Sequence, residues 1–218
     1  MTYLMRKITP VRWTQERRDI HSNNDINAEA LSDLCADENA ISTWYVGEKT
    51  EENIIKAVTA LASGFRSLDE LSIVLIDDDM IKSAGLSISE TEGLTKIEEY
   101  ANLHRDIDQL NVQQLVALAG IVLECVWNGE VRAINAEELS LWILQQINSG
   151  KLKFKDLDKN FRISFSSKIK KLINKHKISL EELDDSLQEA LKAQWQLNQR
   201  GNIMCQNAGN CPNFSRAS

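Results

Sequence analysis

The stretch Ala40–Ile76, AISTWYVGEKTEENIIKAVTALASGFRSLDELSIVLI, decides the fold class. Its opening, AISTWYV, is β-branched and aromatic and stops at Gly47, the composition of a strand. Its last six residues, LSIVLI from Leu71 to Ile76, form a nearly continuous apolar run, as expected of a strand covered on both faces. Between them Ile54, Ile55, Val58, Leu61 and Ala62 recur at helical spacing, which predicts a helix over Glu51–Ser63. Thr50 is its N-cap, Glu51 and Glu52 suit its positive end, and Gly64 fits the C′ position. Strand, helix and strand in such succession make a βαβ unit, so the two strands are expected to be parallel neighbours.

Upstream, Arg6–Thr14 (RKITPVRWT) is extended in character, with Pro10 restricting it to an edge or a strand end. A short helix, Ala28–Cys35, follows Asn27 as its cap. Downstream of Thr95 the pattern is helical. Helices are expected over Lys96–Asp108, Val112–Asn128, Ala136–Ser149, Lys168–Lys175 and Leu180–Gln199. Asn111, Asn135 and Ser179 are their caps, and Gly129, Gly150 and Gly201 their stops. The near-uniform apolarity of Val112–Asn128 marks it as the central buried helix of this half. The fold class is therefore α+β: a small mixed sheet containing one βαβ unit, with a mainly helical C-terminal half. The expected divisions are 1–94, 95–200 and a polar tail, 201–218. They form one continuous body, because no linker-like stretch separates them.

Apolar content of 43% and charged content of 26% are ordinary for a globular protein of 218 residues. The most apolar run, Val112–Trp127, contains Gln113, Gln114 and Glu124 and is too short to span a bilayer. MTYLMRKITP has no apolar signal-peptide core. Four cysteines without regular spacing do not make a disulfide framework. The expectation is a soluble, reducing, cytoplasmic setting.

Charge is the most uneven property. Ten of the 25 basic residues lie between Lys151 and Lys177, opposed there only by Asp156 and Asp158, while the whole chain carries −7. Such a polarised field selects partners by sign. The lysines, with Phe154, Phe161 and Phe165 interleaved as stacking groups, suit nucleic acid. Against a helix-turn-helix stand Glu181, Glu182, Asp184 and Asp185, which place carboxylates where a recognition helix meets phosphates. Internal compensation, or docking of a protein of mixed or acidic charge, fits better.

Asp77, Asp78 and Asp79 follow directly on LSIVLI. Carboxylates at a strand end could hold Mg²⁺ for a metal-dependent phosphodiester hydrolysis, with His104, Asp106 and Asp108 as further ligands. The plainer reading makes Asp77 or Asp78 the N-cap of a short helix, Met80–Ala84, and pairs His104 with Asp108 one helical turn away. No phosphate-loop, dinucleotide, zincin or nucleophile-elbow motif occurs. His21, His104 and His176 lie in unrelated contexts. Cys125 reads as a core residue, and Cys205 and Cys211 as tail thiols. Trp44, Trp127 and Trp142 fall on apolar faces, whereas Trp13 and Trp195 are better interface residues. The expected function is a non-catalytic, protein-binding regulatory or accessory subunit with no cofactor. Its partner-binding residues are Lys168, Lys170, Lys171, Lys175, Trp13 and Trp195. A nucleic-acid accessory protein is the second expectation, and an Asp77–Asp79 hydrolase the third.

Overall fold

A computed structural model describes residues 1–13, 26, 28–34 and 36–193. Asn27, Cys35, His21, Trp195, Cys205, Cys211 and the polar tail lie outside the described residues. Compactness divides the chain into two units, Met1–Lys168 and Ile169–Ser218.

The first unit is built on six strands: β1 (Tyr3–Ile8), β2 (Ile41–Gly47), β3 (Leu71–Asp77), β4 (Ser87–Glu90), β5 (His104–Asp108) and β6 (Val131–Ile134). They lie in the order β4-β5-β2-β1-β3-β6, and every neighbouring pair is antiparallel. The α+β class stands. The strands of the Ala40–Ile76 stretch run the same way, but they are not neighbours. β1 lies between them, antiparallel to both, so the βαβ unit is split and no parallel ladder forms.

β1 pairs with β3 along its whole length, from Tyr3↔Asp77 to Ile8↔Ser72. That central position explains why Leu4, Met5 and Ile8 are all buried, and of the two expected positions, an edge or a strand end, it excludes the edge. Pro10 lies beyond the strand, in a 3-10 turn, Pro10–Arg12.

Helices cover both faces. α1 (Ala28–Leu34) and α4 (Val112–Trp127) share a core with Leu4, Ile8, Ile41, Val74, Ile76 and Ile107. The alternate residues Met5, Trp44, Val46, Ile73 and Leu75 point the other way, toward α2 (Glu51–Ser63) and α5 (Ala136–Asn148). α2 has the expected bounds, and Thr50 Oγ1 accepts from Asn53 N at 3.3 Å. Gly64 ends it in a right-handed conformation, φ −84°. A glycine is required there for another reason: a Cβ would stand 2.8 Å from the Leu94 carbonyl oxygen.

Several expectations change. Lys96–Asp108 is a 3-10 turn, Glu98–Leu103, followed by β5. In HRDID the polar residues 104, 106 and 108 alternate with Ile107, which is fully buried, and that two-residue period outweighs helix propensity. β5 and β6 thus put strands into the half expected to be mainly helical. α4 keeps its Asn111 cap, which forms a capping box with Gln114, and the Gly129 stop, but it is a surface helix. Leu118, Ile121, Val122 and Cys125 face the core, whereas Val112 is 77% and Val116 41% exposed. α6 (Lys159–Asn174) starts nine residues before Lys168 and contributes residues to both units.

In the second unit the Ser179–Glu182 capping box closes only one 3-10 turn, Leu180–Glu182. The chain is extended at Leu183, and a new helix runs from 185 to 193 among the described residues. Asp184 starts it, with its Oδ1 accepting from Ser186 N at 2.9 Å. The break at Leu183–Asp184 leaves Leu183, Leu187 and Leu191 on one four-residue spacing, and all three are buried.

Candidate partner-binding site

The second unit carries most of the expected binding lysines. α6 closes on a reverse turn in which His176 N donates to the Ile173 carbonyl at 2.9 Å and Lys177 N to the Leu172 carbonyl at 3.0 Å. His176 sits at φ +56°, the left-handed position that a helix stop of this type requires. The turn throws the chain back and opens a groove of about 630 Å³. Ile173, Ile178 and Leu180, each half-buried, give it apolar walls, and Lys177, Glu181 and Glu182 its rim. Lys171 and Lys175 are exposed and Lys170 is half-buried. Lys171 makes no ion pair among the described residues.

Lys168 belongs to the first unit. It lines an open cavity with Asp69, Glu70 and Glu137, so its surroundings are acidic. Lys151, at the head of the basic segment, pairs with Glu99 at 2.5 Å and donates to Tyr100 Oη at 3.2 Å. Its pKa is raised by those two contacts. Part of the basic run is thus compensated locally. Phe154, Phe161 and Phe165 are buried and pack on one another, with Phe161 and Phe165 stacked at 6.3 Å between ring centroids. They have no face to offer a base, which corrects their reading as stacking groups.

Trp13 is 1% exposed, and its indole N–H donates to Asp33 Oδ2 at 2.7 Å. It is a core anchor for the segment after β1, without an exposed ring for a partner. Trp195 lies outside the described residues.

Asp77, Asp78 and Asp79 do converge, with one ligand atom from each within 4.8 Å of the others. Each of the first two has local work. Asp77 caps α3 (Asp78–Ser83), accepting from Asp79 N at 3.0 Å. Asp78 pairs with Lys82 at 2.7 Å. Its pKa is lowered, the opposing desolvation being outweighed by the Lys82 and Thr2 hydrogen bonds and the nearby positive charges. His104, Asp106 and Asp108 alternate along β5 and do not join this cluster.

The region around His104 was hidden by the helical reading of HRDID. His104 Nδ1 and Thr91 Oγ1 are 2.7 Å apart, and Thr91 Oγ1 donates to Asp106 Oδ2 at 2.9 Å. Trp44 meets the imidazole edge-on at 5.2 Å. Gly93 makes this packing possible, because a Cβ there would stand 2.7 Å from both His104 and Trp44. Burial lowers the His104 pKa, with Asp106 opposing.

Comparison with known families, characterised proteins and solved structures found no match to this chain. Among the described residues, no helix is long and apolar enough to cross a membrane.

Proposed function

We propose that the chain is a non-catalytic, protein-binding accessory subunit that docks a partner in the groove of its second unit. The observation that carries this reading is the groove itself. Apolar walls from Ile173, Ile178 and Leu180 lie inside a rim holding both a lysine and two glutamates. That is the anatomy of a protein interface, an apolar centre within a polar rim. A polyanion would meet Glu181, Glu182 and Asp185, all exposed, and be repelled. A partner of mixed charge meets complementary groups, with its acidic side chain opposite Lys177 and its basic one opposite Glu182. A regulatory role follows from such docking.

The test is capture from the native host at physiological salt, with a photo-crosslinker at Ile178 and identification of what is joined. A defined protein should be captured, and Lys177→Glu with Glu182→Lys should weaken its capture about tenfold. Equal capture by wild type and the double variant would sink the proposal, as would displacement of the partner by RNA or DNA.

A further inference from the structure

The sheet has an opening in its middle. The β1–β2 ladder ends at Met5↔Trp44, yet β1 continues along β3 to Ile8 and β2 continues along β5 to Ile41. Arg6–Ile8 and Ile41–Thr43 therefore face one another without a ladder between them. Arg6 bridges the fork. Its guanidinium donates to the Ser42 carbonyl at 2.6 Å and to the Leu34 carbonyl at the end of α1. The second contact places a cation at a helix C-terminus, where it is favoured.

The opening holds a cavity of about 390 Å³. Leu61 of α2 reaches it from one face of the sheet and Asp33 of α1 from the other. Ile8, Trp44 and Leu61 supply its apolar surface. Arg6, Lys7 and Arg12 bring three cations to its wall, against the single carboxylate of Asp33.

That carboxylate is itself a built feature. Its side chain is 8% exposed and takes hydrogen bonds from Thr9 N and Trp13 Nε1, both at 2.7 Å, with Arg12 at 3.5 Å. Asp33 thus fixes one wall and has little left with which to repel an anion. Lys7 is different. It is exposed, it makes no ion pair among the described residues, and its ammonium lies 4.8 Å from the Phe65 ring centroid. A pocket of this volume, apolar inside with a few fixed polar groups, is the usual form of a small-molecule site.

We propose that the β1–β2 fork binds a small molecule with an apolar, ring-sized body and one carboxylate or phosphate group. The body lies against Trp44 and Leu61, and the anion meets Lys7 at the rim, with Arg6 and Arg12 behind it. Pre-organisation by Asp33 and by the Arg6 bridge lowers the ordering cost of binding. The site lies within the first unit and does not depend on the groove of the second.

The experiment is calorimetric titration of the full chain with benzoate, phenyl phosphate, inorganic phosphate and benzylamine. Benzoate, phenyl phosphate or both should bind saturably with a Kd of about 1 mM or tighter. Which of them binds distinguishes a carboxylate from a phosphate ligand. Inorganic phosphate, lacking the body, and benzylamine, lacking the anion, should each bind at least about tenfold more weakly. Lys7→Glu should abolish binding with the melting temperature unchanged, and Lys7→Arg should keep it. Ser42→Trp, which fills the opening, should also abolish it. Arg6 is left intact, because its loss would unfasten α1 from β2. No saturable binding of either aromatic anion, equal binding of benzylamine, or unchanged affinity in Lys7→Glu would overturn the site.

Discussion

The guanidinium of Arg132 lies 5.0 Å from the centre of the Trp142 ring. From there it also holds Glu51 and Glu138, each through an N–O contact of 2.8 Å. One side chain on β6 thereby ties the edge of the sheet to the start of α2 and to the first turn of α5. Exposed ion pairs contribute little, but Arg132 is partly buried and combines two pairs with an aromatic contact. Arg132→Ala should cost about 1–3 kcal/mol in denaturant unfolding. Arg132→Lys should recover only part of that, because an ammonium cannot serve both carboxylates with the same planar fork.

The same contact sets an acid limit. The Arg132 hydrogen bond lowers the Glu51 pKa below its ordinary 4.5. A depressed carboxylate contributes stability above the unfolded pKa, and that contribution is lost as pH falls through the folded one. The melting temperature should therefore drop as pH is taken below 4.5, and Glu51→Gln should flatten that part of the profile. Equal slopes in the two proteins would show that Glu51 is not responsible.

His104 gives a second, separate window. Burial holds its pKa below 6.5, so the unfolded chain binds a proton more readily than the folded one. Stability should fall as pH drops from 6.5 toward the folded pKa and level off below it. His104→Gln should remove the slope in that window. NMR titration of the imidazole should place its midpoint below that of the unfolded chain.

His176 occupies a left-handed backbone position that costs an ordinary residue about 1 kcal/mol relative to glycine. His176→Gly should raise stability by roughly 0.5–1 kcal/mol. Thermal unfolding of the two proteins decides it, and a lower melting temperature for the glycine variant would mean that the imidazole has a partner worth more than the strain.

Cys125 is buried on α4, and its thiol pKa is pushed up to about 11 by burial, with Glu124 and Glu130 adding to it. A thiol this protonated and covered does not react. In a chain with the other three cysteines replaced by serine, a disulfide reagent should label nothing when native and one thiol after unfolding. Rapid native labelling would contradict the packing of α4.

His176 also shows where the sequence is legible. Three other helices end with the same pair of hydrogen bonds, at Gly85, Gly129 and Gly150, each with positive φ. Gly129 and Gly150 announce their stops by composition. His176 has no such mark, although α6 stops there just as firmly. The same contrast runs through the fold. Thr50, Asn111 and Asn135 act locally and are readable as caps. The partner of β1, the bridge from Arg6 to Leu34 and the bond from Trp13 to Asp33 join residues twenty or more positions apart, and no local pattern encodes them. β4 and β6, four residues each, are too short for a period to show. The lysine of the candidate groove, Lys177, is visible as charge, while the apolar walls arise only from the turn after α6.

The placement of β1 in the middle of the sheet has a consequence for biosynthesis. Its partner β3 ends only at Asp77, and β6 follows at Ile134. At about 5–20 residues per second, the ribosome takes on the order of 3–14 s between the end of β1 and the end of β3. Throughout that interval β1 lacks the strand that pairs with it along its whole length, so a central ladder of the finished sheet is among those that must wait for distant chain.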